Sequence, residues 1–393
     1  MLYAPPWDAP ARLSKHHLAL HWSRTRRVLY VETPVNPLSF LRRPEEARRL
    51  FLRYLSGPVA ISPTLWVQAY ACPLPYRASP RLLGYRWVNT VNQVVVRPQL
   101  HRLLSRLGVR RPIVVVGGAH ALPLLEALDA SLVIYHCSDD FTRQDTFPAS
   151  YADLERDLIR RCDLVITTAE ALRRAKAYLH PRVCAVSNGA DIDHFAATQD
   201  ARTSPAEELA PLPRPVIGYI GTVFEWIDQE MVAAAARARP RWTFVFVGPV
   251  TTDVRRLRAL PNVRLLGSRP YADLPRFLKG FDVATVPFVV HPVTLRASPI
   301  KFYEYLAAGI PVVATRLPEF EPLDGWANLV TSPGEFVTGI ERAMQDDSAD
   351  LRRRRMEQAR RHSWEVRFAA IDRLIGEALW RKATLSAVTT GRG

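Results

Sequence analysis

The sequence predicts an α/β protein made of two facing Rossmann-like domains, each with a doubly wound parallel sheet, around a central cleft. Three observations lead there. At 393 residues the chain is longer than a single hydrophobic core usually grows. Short β-branched runs alternate with helix-length amphipathic segments almost from end to end, the pattern of parallel βαβ units. The stretch ATQDARTSPAEELAPLPRP (197–215), rich in Pro, Ala and polar residues, separates two complete sets of such runs.

In the first set the strands are a stub at residues 1–4, then RVLYVET (27–33), LWVQAY (65–70), IVVVGG (113–118), LVIYHC (132–137), LVITTA (164–169) and VCAVSN (183–188). The second set reads VIGYIG (216–221), TFVFVG (243–248), VRLLG (263–267), VATVPF (283–288), IPVVAT (310–315) and NLVTS (328–332). A long helix from Trp364 to about Ala383 and a frayed tail close the chain. The expected divisions are 1–196, a linker at 197–215, a second domain at 216–363, and a C-terminal helix and tail at 364–393.

A hydrophobic content of 48% suffices for two cores. No apolar run is long enough to span a bilayer and no secretory signal pattern opens the chain, so a cytoplasmic protein is expected, with peripheral attachment to the inner face of the plasma membrane left open. The four cysteines form no C-x-x-C pair and imply neither disulfide nor zinc. The net charge of +15 asks for an acidic partner: nucleic acid, an anionic membrane or a phosphorylated substrate. Most basic residues are Arg, which a coding bias would also produce. PLSFLRRPEEARRLFLRYLSG (37–57) intersperses Arg42, Arg43, Arg48, Arg49 and Arg53 with large apolar residues. Such a segment suits a helix packed on its own domain core, the commoner case, or an anionic bilayer with Phe51 and Leu55 inserted.

The most informative stretch is SPIKFYEYLAAGIPVVAT (298–315). Ser298 suits a helix cap, Pro299 the first turn, and Gly309 with Pro311 a stop before a buried strand. Lys301 and Glu304 are three apart on one face near the helix start, where backbone N–H groups favour an anion. Arg296 adds a bidentate fork in the preceding loop. A diphosphate fits the cations and helix end without a metal, and a ribose diol fits the carboxylate. Lys301 and Glu304 also suit an ordinary surface pair.

These residues carry a resemblance. P-x-K-x-Y-E-Y-L-A-A-G-x-P-V-V (299–313) is similar to the donor-binding segment of GT-B glycosyltransferases, in the large retaining family that uses nucleotide-sugars. SNGAD (187–191) with Phe195 resembles that family's N-G-x-D-x-x-x-F turn. VIGYIGTVFEWIDQE (216–230) and LLGSRPYADLPRFLKGFDVATVPF (265–288) resemble segments of its C-terminal domain. PPWDAPARLSKHHLALHW with RVLYVETP resembles a teichuronic-acid-type subgroup. The resemblance implies that Glu304 holds the donor ribose, that Ser298, Pro299, Ile300 and Lys301 receive the phosphates, that Gly221 and Thr222 form the turn beside the diphosphate, and that Ser268, Arg269 and Tyr271 meet the base. The chain departs from the family in carrying Arg296 where many members have a glutamate near the sugar. It also lacks the usual Arg and Lys after Gly221.

YHCSDDFT (135–142) puts His136, Asp139 and Asp140 at a strand end, where a carboxylate suits acceptor activation or sugar orientation, or a helix cap. His16 and His17 suit the acceptor side or a solvated helix face. Asp140, Lys301 and Arg296 are the expected catalytic set. No metal or other cofactor is expected: Asp191 and Asp193 pair without further ligand spacing. The expected activity is sugar transfer from a nucleotide-sugar donor to a cell-surface glycan or lipid-linked acceptor, with no nucleic acid as partner. The alternatives are an epimerase of the same fold and a non-catalytic basic nucleic-acid-binding protein.

Overall fold

The computed structural model describes residues 4–390 except 9–12, 43, 76–82, 126–127, 144–148 and 299. The chain forms two compact units, residues 1–187 with 368–393 (unit 1) and residues 188–367 (unit 2).

Unit 2 holds one six-stranded parallel sheet from β8 (Val216–Ile220), β9 (Thr243–Val247), β10 (Val263–Gly267), β11 (Val283–Val286), β12 (Val312–Thr315) and β13 (Asn328–Val330). Its order is β10-β9-β8-β11-β12-β13. The chain winds outward one way from β8 and then the other way from β11, so the direction reverses between these two hydrogen-bonded strands. Strands β8, β9, β11 and β12 are buried at every position, which is why they read as continuous apolar runs rather than alternating ones.

In unit 1, β1 (Val28–Val31), β2 (Val59–Ser62) and β3 (Leu65–Gln68) form one sheet. The strands β4 (Ile113–Val116), β5 (Leu132–Cys137), β6 (Leu164–Thr167) and β7 (Val183–Ala185) form a parallel four-stranded sheet. Ala4 makes a single parallel bridge to Glu32 where the sequence suggested a strand stub. The sequence reading had no β2, which pairs antiparallel with β3 across a tight turn at Pro63 and Thr64. Its short run, VAIS, lies too close to the next strand to be separated by periodicity.

The stretch 197–215 behaves as part of unit 2: Thr198 and Leu209 are buried and the Ala206 N–H donates to the Arg276 carbonyl at 3.0 Å. The last helix, Trp364–Thr390, enters unit 1 at Phe368. There Asp372 accepts from His21 and Trp22, each at 2.9 Å, and Lys382 donates to Asp163 at 2.8 Å.

The expected basic face at 37–57 is corrected in part. Arg53 turns inward to the fully buried Glu32 and to Asp8, and Arg49 also pairs with Asp8 at 2.9 Å. Phe51 packs beside Ala47 and Leu50, its ring 5.7 Å from that of Phe40. Arg48, Leu52 and Leu55 are exposed.

Candidate active site

The site in unit 2 lies where the sheet reverses direction, the position at which open parallel sheets bind ligands. Just past β8, Gly221 has φ +148, and a Cβ there would fall 1.9 Å from Lys301 Cε and 2.9 Å from the Tyr219 hydroxyl. The Lys301 stem therefore lies on bare backbone. Gly248, past β9 with φ +147, lies over Gly221, and a Cβ there would meet the Gly221 carbonyl at 2.2 Å. Two side-chain-free turns thus stack against one lysine, leaving main chain open to a close ligand.

Helix Ile300–Ala307 is tied to this turn by Tyr305, whose buried hydroxyl accepts from the Ile220 N–H at 2.8 Å and donates to the Ile220 carbonyl at 3.3 Å. The helix ends as its sequence suggests. Gly309 has φ +73, its N–H donates to Leu306 O, and the Ile310 N–H donates to Tyr305 O, a Schellman closure. Asn188 Nδ2 donates to the Ser298 carbonyl at 3.1 Å, joining the NGAD turn to the segment before the helix.

Glu304 lies one turn beyond Lys301 and is half-buried. Burial raises its carboxyl to about 7; Lys301 opposes the rise and Asp191 reinforces it. Asp191 also caps helix Ile192–Ala196 by accepting the His194 N–H at 3.4 Å. Near neutral pH, Glu304 is therefore poised to ionise when a ligand brings hydrogen-bond donors.

Other expected residues divide. The Tyr271 ring is covered on one face by His194, stacked 4.3 Å away at 13°, and the His194 Nε2 donates to the Tyr271 carbonyl at 2.9 Å. Arg269 is engaged locally, donating to the Leu266 and Ser268 carbonyls and pairing with Glu208, so it shapes the turn rather than offering a free fork. Ser268 is exposed, Thr222 and Ile300 are half-buried, and Arg296 is half-buried in the short turn Thr294–Arg296. Pro299 lies outside the described residues.

In unit 1 the turn after β5 gathers a second polar group. Lys15 is buried, and its ammonium donates to Ser138 Oγ at 3.1 Å. Burial lowers the lysine's pKa while Asp139 opposes; the same burial raises Asp139 while Lys15 opposes. His136 is 3% exposed, has no partner at Nδ1, and is pushed down by burial to about 3, so its ring is neutral. Asp140 accepts from Thr142 Oγ1 at 2.6 Å. Asp139 thus sits beside the buried Lys15, and Asp140 acts on a second buried cation, Lys176. On His16, Nδ1 accepts the Leu13 N–H and Nε2 donates to the Pro6 carbonyl, both at 2.9 Å, so the ring pins its loop. His17 is half-buried on helix Ser14–Ser23.

A cavity of about 460 Å³ opens past the ends of β1, β4 and β5, bounded by Arg42, Glu46, Gly118, His120, Phe141 and Tyr151. Burial pushes His120 down to about 3. Sequence reasoning passed over Lys15, and it set aside the GGAH segment at 117–120 as too short for a dinucleotide-binding motif. A signal for Lys15 was present: five lysines stand against 48 arginines. Three of the five are closely held: Lys15 by Ser138, Lys176 by Glu155, and Lys301 with its stem on the Gly221 backbone.

The sequence model of the family described as "Glycosyl transferases group 1" matches residues 214–346, the part of unit 2 that carries this site. The chain is 28% identical over 282 residues to TuaH of Bacillus subtilis (strain 168), named as a glycosyltransferase of teichuronic acid biosynthesis; the match covers 65% of this chain and 69% of that one. The fold matches sucrose-phosphate synthase from Thermosynechococcus elongatus with TM-score 0.69 and 14% identity, covering 96% of this chain and 98% of the other. The chain has the GT-B fold, and the part that carries the site is similar to the group 1 glycosyl transferases. The same fold is found in Anabaena Alr3699/HepE, solved with UDP and glucose, at TM-score 0.64 and 16% identity over 96% of this chain and 98% of that one. Among the described residues, no three His, Cys, Asp or Glu side chains are close enough to hold a metal ion, and no helix is long and apolar enough to cross a membrane.

Proposed function

We propose that the protein transfers a sugar, with retention, from a uridine-diphosphate donor to a cell-surface glycan or its lipid-linked precursor. The observation that carries this reading is the convergence of the Gly221 turn, Lys301 and Glu304 at the reversal point of one parallel sheet. UDP as carrier is supported by its presence in the HepE structure, and the glycan acceptor by the naming of TuaH.

The diphosphate lies along Gly221 and Thr222 toward the start of helix Ile300–Ala307. As the sugar–phosphate bond lengthens, negative charge grows on the leaving oxygen. Lys301, Arg296 and the N–H groups at the helix start lower its energy without needing to reorganise. Ionised Glu304 accepts hydrogen bonds from the ribose hydroxyls. On the acceptor side, Asp139 beside Lys15 receives the proton of the incoming hydroxyl, and neutral His136 bonds a sugar hydroxyl through Nδ1.

A thermal-shift series over nucleoside diphosphates tests the donor. A ligand at a hundred times its Kd stabilises the native state by about 2.7 kcal/mol, so UDP should raise the midpoint clearly. No rise with any nucleoside diphosphate would overturn the reading. Transfer is expected to continue in EDTA, since protein cations carry the compensation; loss in EDTA with recovery in Mg²⁺ or Mn²⁺ would transfer that role to a metal. Donor incubated alone should keep its configuration, and interconversion without acceptor would favour an epimerase.

A further inference from the structure

Charge and exposed apolar surface are distributed very unequally. Unit 2 holds 23 Lys and Arg against 22 Asp and Glu, a net +1, while unit 1 holds 30 against 16, a net +14. Of the sixteen exposed large apolar residues among the described ones, fourteen belong to unit 1 and only Val290 and Val366 to unit 2. Both units are rich in Arg, so coding bias explains the arginines but not the missing acids. A soluble surface that displays large apolar side chains normally carries balanced charge around them; here the two excesses coincide.

They also coincide in detail. On helix Pro44–Ser56 the outward stripe runs through Arg48, Leu52 and Leu55, with Leu52 52% and Leu55 64% exposed. Leu41, on the preceding helix Pro37–Arg42, is 82% exposed. The next strand, β2, is an edge strand that shows Val59 and Ile61 to solvent. Leu55 also borders a groove of about 270 Å³ whose opposite wall carries Arg102 and Arg106, from helix Tyr85–Arg106. Arg48, Arg102 and Arg106 have no carboxylate partner among the described residues, unlike Arg49 and Arg53 beside them.

We infer that this face of unit 1, centred on Leu52, Leu55, Arg48, Arg102 and Arg106, docks on the surface of an anionic lipid bilayer. The leucines enter the boundary between headgroups and acyl chains, while the unpaired guanidinium groups meet lipid phosphates at the level where they cannot follow. The arrangement deepens the acceptor reading, because a lipid-linked acceptor is held in a bilayer. It is nonetheless tested without turnover.

The full chain is floated with vesicles of phosphatidylglycerol and phosphatidylcholine, and with phosphatidylcholine alone, at low and high salt. Wild type should rise with the anionic vesicles at low salt, stay down with the neutral ones, and detach as salt screens the contact. Arg48→Gln, Arg102→Gln and Arg106→Gln should each weaken partitioning about fivefold, equivalent to about 1 kcal/mol per interfacial charge. The pair Leu52→Ser and Leu55→Ser should weaken it on anionic vesicles by at least as much as any one arginine change. Each variant is checked for an unchanged melting midpoint and UDP-induced shift, so that misfolding is not read as lost docking. The inference fails if wild type ignores anionic vesicles at low salt, or if the variants bind like wild type. It also fails if light scattering shows a dimer that only the leucine changes dissolve while vesicles are ignored, since the face would then belong to a second copy.

Discussion

Unit 2 and unit 1 are both built from strand–helix repeats, yet they expose opposite chemistry. Unit 2 is one uninterrupted parallel sheet with balanced charge, and its special features converge on a single spot: two glycine turns, a lysine over them, and a carboxylate one turn on. Unit 1 carries two separate ladders, an antiparallel edge, polar groups held in burial at Lys15, His136 and His120, and nearly all of the exposed apolar and excess basic surface. The contrast teaches that a common architecture constrains the interior and leaves the surface free. A unit that binds a small, charged, water-borne ligand needs only a local site, whereas one that meets a glycan or lipid-borne partner needs an altered exterior.

The contrast breaks most visibly at two arginines of one helix. Arg53→Gln strands the buried Glu32 without its cation and should cost about 3–5 kcal/mol in denaturant unfolding. Arg48→Gln, on the exposed side of the same helix, should change stability by no more than about 0.5 kcal/mol. If the two cost the same, the division between inward and outward charge is wrong.

Glu304→Gln comes next. Loss of the ionised acceptor should weaken UDP binding by roughly 1.5–3 kcal/mol in calorimetry. Stability should move the other way. The native carboxyl, raised to about 7, holds a proton that the unfolded chain has released above about pH 4.5, so stability falls as pH rises between these values. The variant lacks that slope and should be more stable than wild type at pH 8, by on the order of 2–3 kcal/mol. A parallel pH dependence in both proteins would remove Glu304 as the titrating group.

Lys15→Met should have a smaller effect on free energy than Glu304→Gln and a specific signature. Turnover should fall about tenfold, near 1.4 kcal/mol. Folding should hold or improve, because an apolar chain replaces a buried ammonium. Without the lysine, burial raises Asp139 further, so the acid limb of the kcat/KM profile should shift to higher pH. A drop in rate with an unmoved limb would leave Lys15 a packing role only.

Much of the fold was legible in the sequence because buried parallel strands leave continuous β-branched runs, and Gly309 marked its helix end through a backbone conformation that few other residues adopt. Glu304 and Lys301 were legible from spacing and resemblance together. What escaped were features that depend on distant partners. Lys15 meets Ser138 across more than a hundred residues of chain, and nothing local to LSKHH announces it. Asp139 and Asp140 are neighbours of one residue type, and partners far along the chain tell them apart, Lys15 for the first and Lys176 for the second. Arg53 fitted a basic surface stripe by periodicity, but the buried Glu32 draws it inward.

The chain passes between the units twice, after Ser187 and after Arg367, and near these points Ala190 and the segment 362–364 are stitched in parallel, the Ala190 N–H donating to His362 O at 2.9 Å. During synthesis this imposes an order of completion. Unit 2 is one unbroken run of sequence and can close on itself once Arg367 has left the ribosome. Unit 1, although begun first, must wait for the final helix to bring Asp372 to His21 and Trp22 and Lys382 to Asp163. The first-made half of the molecule is therefore the last to be finished, and a premature stop in the final helix would injure the half encoded farthest from it.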